Sequence, residues 1–417
     1  MREKYRNFGI VALIIIIIGL FSGLVWGNIV SIRQNPVEKE FLVPWLGMRT
    51  FLESGNNPYG DSAAQRAQVF YYGNLANSNE DPLELGQPFS GEILFFPLAL
   101  IKDYTTARVI WMVLLELALL GSAILSLYLF EWKLPTSLMA LYALVVVLGA
   151  QSFLPLLENN KVILLSVFLL TGLVFLQKEL DELGGAFLAL SFFQPSATGI
   201  LCLITFWWAI RCHRWRVIWG MLMTVGFLFI VSFALLPGWF LPFIQSFRVE
   251  FPFSGYMTTY RILTKMWPAI GNKVALGLTI GTVIILLMEL RSRNNRDFRW
   301  FMWLAMLSLA INSLPGIPLL KVNIIFLLLP MTYILKVLSQ RLKPKNRWMY
   351  IGSLLGISLI GSWGFKFGIL FFHGVIASNL INTYFPSLLI IVGLFWVRWW
   401  AIHPFHTWMD KIKSEQE

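Results

Sequence analysis

Carboxylates beside apolar segments are the residues with the clearest chemical potential in this chain. Glu38-Lys39-Glu40 stands directly before an apolar stretch that opens at Phe41. A carboxylate at such an edge can take a proton from an acceptor hydroxyl or hold a metal. The competing reading is a solvated charge cluster. Glu53, beside an Asn-Asn-Pro-Tyr turn, reads more simply as a solvated helix end. Glu92 follows Gly91 and opens the short apolar run Ile93–Ile101. A carboxylate there is costly unless it has a partner or faces a wet cavity, or unless it sits at the membrane interface. Glu116 lies well inside an apolar run, where a structural pairing and a functional one are equally open.

The remaining candidates are amides and cations. Glu158-Asn159-Asn160-Lys161 forms a polar turn able to hydrogen-bond a sugar or phosphate, and an ordinary turn would look the same. Gln194-Pro195-Ser196 breaks a hydrophobic stretch. Lys321 is an isolated cation near Asn312, Ser313 and Asn323, around a Pro-Gly-x-Pro break. It can meet a phosphate as a point charge or snorkel to lipid headgroups. His213, His373, His403 and His406 form no H-E-x-x-H site, and no G-x-S-x-G elbow or Walker loop is present. Cys202 and Cys212 make no disulfide framework.

The elements that must position these groups are written in the composition. Of 417 residues, 57% are hydrophobic and 13% charged, about half the charge of an average soluble domain. The net charge of +11 then reads as membrane-flanking loops rather than a nucleic-acid surface. Apolar runs cover 8–30, 107–130, 134–154, 161–177, 183–194, 198–210, 216–236, 273–290, 299–314, 322–338, 348–372 and 384–402. Read as crossings, they predict about 12 transmembrane helices in one all-α polytopic membrane domain over 1–417. The run at 92–101 is too short to span. Basic clusters at Arg211–Arg216, Arg291–Arg299 and Arg341–Arg347 mark cytoplasmic loops. This places the chain in the cell membrane as a multi-pass protein with both termini cytoplasmic. Two long loops then face outward. The first, 31–91, carries an amphipathic pattern from Phe41 to Leu52 that predicts an interfacial helix. The second, 237–272, carries Arg248, Glu250, Tyr256, Tyr260, Arg261 and Lys265.

Glu40-Phe41, Gly55-Asn56-Asn57-Pro58-Tyr59 and Phe95-Phe96-Pro97-Leu98, in this topology, resemble the polytopic glycosyltransferases of the GT-C type. The resemblance is to glycosyltransferase family 87, the alpha-mannosyltransferase-like group, and runs over roughly 8–340. It implies a GT-C-like fold and sugar transfer from a polyprenyl-phosphate sugar to a lipid or glycan acceptor outside the cytoplasm. It also implies Glu40, Glu92 and Glu38 as catalytic carboxylates, and Asn57, Tyr59, Glu158, Asn159 and Gln194 as acceptor or sugar contacts. The family has a Lys-Pro pair where this chain has Gln194-Pro195. Lys321, Arg261 and Lys265 are then the expected ligands of the donor phosphate. Relatives differ in their use of a divalent metal, so the metal stays open. Two other readings stand beside this one: a secondary transporter or lipid flippase, and a non-catalytic membrane relative.

Overall fold

The computed structural model describes residues 22–193, 195–250, 267–291, 297–312, 321–342 and 346–402, with 19 and 263–264. Every described regular element is helical. After helical backbone at 22–34, the order is α1 (Lys39–Ser54), α2 (Asp61–Tyr72), α3 (Phe89–Glu92), α4 (Phe96–Ala99), α5 (Tyr104–Leu129), α6 (Thr136–Leu148), α7 (Ala150–Leu157) and α8 (Val162–Gln177). There follow α9 (Asp181–Ser191), α10 (Pro195–Arg211), α11 (Trp215–Leu235), α12 (Phe240–Glu250), α13 (Gly271–Arg291), α14 (Phe298–Ile311), α15 (Leu328–Arg341) and α16 (Arg347–Ile402). Single 3-10 segments occupy Ile93–Phe95 and Lys321–Leu327. The chain forms two compact units. One comprises Met1–Leu119, Leu154–Leu164 and Gly226–Gly255, and the other Leu120–Phe153, Leu165–Val225 and Tyr256–Glu417.

In the first unit, α1 carries Phe41, Trp45 and Met48 at helical spacing, and all three are buried with Leu42 and Leu46. Burying a side chain of this size contributes about 1.5–3 kcal/mol, so this face holds the unit together. The Phe41 ring lies 6.1 Å from Phe95 and 6.4 Å from Trp111, and Phe95 lies 4.9 Å from Trp111. The Trp45 indole N–H donates to the Leu98 carbonyl at 3.0 Å, tying α1 to α4. The helix predicted over Phe41–Leu52 therefore exists as part of α1, with its apolar side chains against protein. It ends at Gly55, whose φ of 68° is left-handed and whose N–H caps the Phe51 carbonyl. Glycine takes that conformation without a Cβ penalty.

The second unit is organised around a core of Ala123, Leu127, Trp132, Tyr142, Val145, Val146, Leu335, Ile351 and Leu355. Its buried polar atoms are paired, as a low-dielectric interior requires. The Tyr142 hydroxyl meets Ser126 at 2.8 Å and Thr332 at 2.6 Å, and the Trp132 indole N–H donates to Ser339 at 3.1 Å. Helices α9 and α11 touch through glycines. A Cβ on Gly185 would lie 2.1 Å from the Val217 carbonyl oxygen, and one on Gly220 2.1 Å from that of Glu182. Only backbone fits at this crossing.

The structure corrects the expectation of about 12 spans. Among the described residues four helices are long and apolar enough to cross a membrane: α5, α11, α13 and Asn323–Arg341. A fifth counts if α6 and α7, bent by 48° at Gly149, act as one span. The other apolar runs form shorter helices. α8, α9, α10 and α14 have 16, 11, 17 and 14 residues. At about 1.5 Å per residue none reaches the roughly 30 Å of a bilayer core. The runs 348–372 and 384–402, expected as two crossings, lie on the single helix α16, and residues 8–18 of the first run fall outside the described residues. A GT-C-like fold of about 12 transmembrane helices is thus not the architecture of this chain. The long apolar helices are those of a multi-pass membrane protein. α11 and α13 expose large apolar side chains such as Met223, Phe227, Ile230, Leu276, Leu287 and Met288, as a lipid-facing surface does.

Candidate functional site

The first unit brings two of the three expected carboxylates to one place. Glu40 sits in the first turn of α1, where the helix N-terminus favours negative charge. Glu92 closes the single turn of α3. Lys161 comes from the turn between α7 and α8. In that turn Asn159 takes a left-handed φ of 55°, which Asn adopts more readily than other side-chain-bearing residues. The Asn160 side-chain oxygen accepts the Val162 N–H at 3.0 Å, starting α8 as an N-cap would.

Glu92 is 0% exposed and Lys161 6%. The Lys161 ammonium lies 3.8 Å from Glu92 Oε1 and donates to the Gln87 side-chain oxygen. Neither Glu92 oxygen has a hydrogen-bond donor within reach. The Asn160 amide donates to Glu40 Oε2 at 3.4 Å. The Tyr59 hydroxyl donates to the Gln87 carbonyl at 2.6 Å, fixing the segment that presents Gln87. Glu40, Lys39, Asp81, Glu84 and Gln87 line a cleft of about 30 Å³, and the Lys39 ammonium pairs with Asp81 at 2.8 Å beside it.

Electrostatics set the protonation of this cluster. Burial pushes Glu92 up to about 7; Lys161 opposes the rise and the charge of Glu40 adds to it. Burial also raises Glu40, against the pull of Lys39 and Lys161 and with a push from Asp81. Glu84 is raised by burial and held back by a hydrogen bond from the Ser246 hydroxyl. Two carboxylates that feel each other and the same ammonium titrate as a coupled set. Such a set can hold and pass a proton near neutral pH.

The other sequence candidates go elsewhere. The Glu38 N–H donates to the Tyr104 hydroxyl at 3.1 Å. Its carboxyl is raised by burial and held down chiefly by Arg108. Asn57 makes an Asx turn, its side-chain oxygen accepting the Tyr59 N–H at 3.0 Å. Asn-Pro-Tyr is therefore the turn that delivers Tyr59 to Gln87. Glu158 is exposed, while the Asn159 amide turns back to the Leu157 carbonyl at 2.7 Å. Glu53 is ion-paired with Arg49 and Arg66. Gln194, Arg261 and Lys265 lie outside the described residues, and Lys321 opens the 3-10 segment Lys321–Leu327. Sequence reasoning did not join Lys161 and Asn160 to the carboxylates, and it passed over Gln87. Among the described residues no three of His, Cys, Asp and Glu are grouped to hold a metal.

No protein-family model, no curated protein and no solved structure matches this chain. The resemblance to the GT-C type and to glycosyltransferase family 87 is therefore corrected. Its motif segments are accounted for locally by the Asn57 turn and the α1–α4 packing, and the span count contradicts the architecture it implied. Sugar transfer from a polyprenyl-phosphate donor, which rested on that architecture, falls with it.

Proposed function

We propose that the chain is a membrane-embedded enzyme whose Glu40–Glu92–Lys161 cluster acts as a general base on a hydroxyl-bearing polar acceptor, in a group-transfer reaction. The observation that carries this reading is Glu92: fully buried, without a hydrogen-bond donor, and balanced by one ammonium at 3.8 Å. A buried carboxyl near neutrality is costly to keep and suited to proton transfer. Glu40, at the cleft, receives the acceptor proton. Lys161 holds the negative charge that results, and Glu92 behind it buffers the proton. Gln87 and Asn160 keep the lysine and Glu40 in register.

The charge rule orients this unit. The basic ends Arg211–Arg216, Arg291–Arg299 and Arg341–Arg347 belong in the cytoplasm, together with the basic residues of both termini. α11 starts, and α13 ends, at such a basic end. The stretch between them, including α12, then faces the other side. Phe243 of α12 packs on Tyr59 at 6.3 Å, so the carboxylate cluster opens on the extracytoplasmic face.

The test is to incubate the detergent-purified chain with membrane lipid extract and a panel of polyhydroxyl acceptors, and to read mass addition. Glu40→Gln is expected to lower the rate by roughly 10²–10⁴-fold, the usual contribution of a general base. Full turnover in both Glu40→Gln and Glu92→Gln would overturn the proposal.

A further inference from the structure

The second unit holds a buried polar cavity that the proposed chemistry does not use. Ala197, Leu309, Asn312, Asn323, Phe326 and Ser387 are among its lining. Asn312 is the C-cap of α14, and Asn323 belongs to the 3-10 segment before α15. The Asn312 amide donates to the Ser196 backbone carbonyl, and the Asn323 amide donates to the Ser196 hydroxyl oxygen at 3.0 Å. A backbone carbonyl only accepts, so the first bond fixes which way the Asn312 carboxamide points. Turned round, it would set two acceptors against each other.

The side-chain oxygens of Asn312 and Asn323 are left without a donor, although the residues are only 2% and 6% exposed. Unpaired buried acceptors are costly, and two at one cavity call for an occupant that brings positive charge or donors. The end of α14 adds its partial negative charge at Asn312. No carboxylate lines the cavity. A divalent ion ordinarily needs carboxylate charge among its oxygens, whereas neutral oxygens at broken helix ends in membrane proteins hold monovalent ions. The cavity volume, about 10 Å³, admits one occupant of water size.

We propose that this cavity is a sodium-ion site formed by the Asn312 and Asn323 side-chain oxygens. It is separate from the Glu40–Glu92–Lys161 chemistry and does not depend on it. The test uses the full chain in detergent, with ²²Na⁺ binding and thermal unfolding in sodium chloride against N-methylglucamine chloride at equal ionic strength. The expected result is saturable ²²Na⁺ binding and an unfolding temperature raised by sodium alone. Asn323→Ala keeps the Asn312–Ser196 bond and removes one of the two ligands. It is expected to raise the half-saturating sodium concentration at least about tenfold. Asn312→Ala is expected to do so as well. Absence of saturable binding in the wild-type chain, or equal unfolding temperatures in both salts, would mean a buried water only and overturn the site. Unchanged binding in both variants would overturn it too. Should Asn323→Ala fail to fold, wild-type ²²Na⁺ binding still decides between the two results.

Discussion

Lys161 places its ammonium 3.8 Å from Glu92 Oε1, with both side chains buried in the first unit. The pair is incomplete as an ion pair, because the ammonium also serves Gln87 and the carboxylate has no hydrogen-bond donor. A buried charge so poorly satisfied makes the native state sensitive to pH and to the loss of either partner.

The first prediction is a pH dependence of stability. Burial raises Glu92 from 4.5 to about 7 in the folded chain. Between those two values the native state holds a proton that the unfolded chain has released, so stability falls as pH rises. Below the window both states are protonated; above it both are ionised and the penalty is constant. The loss across the window is on the order of 3 kcal/mol. Denaturation of the detergent-solubilised protein at pH 5, 6, 7 and 8 should show this decline in the wild type and a shallower one in Glu92→Gln. Parallel curves would remove Glu92 as its source.

Lys161→Met should destabilise more at pH 8 than at pH 5. Ionised Glu92 would lose its counter-charge at the higher pH, a loss of roughly 3–5 kcal/mol for a buried pair. At the lower pH the carboxyl is protonated and the cost shrinks to that of the lost Gln87 contact. An equal loss at both pH values would show that the ammonium acts on Gln87 alone.

Tyr59→Phe removes the donor to the Gln87 carbonyl at 2.6 Å and nothing else. The expected cost is about 1–3 kcal/mol, because the carbonyl is left without its donor. Thermal unfolding measures it. A neutral result would show that Gln87 is held by Lys161 without help from the Asn-Pro-Tyr turn.

Gly185→Ala tests the helix crossing in the second unit. The new Cβ would meet the Val217 carbonyl oxygen at 2.1 Å, so α9 and α11 must separate. Overpacking of this kind costs about 1–3 kcal/mol, and more where backbone is the obstacle. Gly226→Ala in α11 meets nothing within 4 Å and serves as the control. Equal stability of the two variants would contradict the close crossing.

The sequence made some of this legible. Glu40 and Glu92 stood out because each is a carboxylate at the edge of an apolar segment, and that local signal survives folding. Their partners did not stand out. Lys161 reaches Gln87 across 74 positions and Asn160 reaches Glu40 across 120, and no local spacing encodes such pairings. Asn57 and Tyr59 were legible as a turn, and it is the turn that the structure explains. The span count misled because hydropathy does not separate a helix buried in protein from one in lipid. Val162–Gln177 is apolar throughout yet only 16 residues long. Gly149 breaks a run that reads as continuous, and Arg347–Ile402 continues through one that reads as broken.

The account rests on a Glu92 carboxyl that keeps its proton close to neutral pH under the influence of Glu40 and Lys161. Infrared titration of the carboxylic acid C=O band in the purified protein measures this directly. The predicted result is a band that disappears with a midpoint near pH 7 in the wild type and is missing in Glu92→Gln. In Glu40→Gln its midpoint moves to lower pH, because the like charge that raises it is gone. A wild-type protein with no carboxylic acid band at pH 6, or one whose band persists unchanged in Glu92→Gln, would contradict the account.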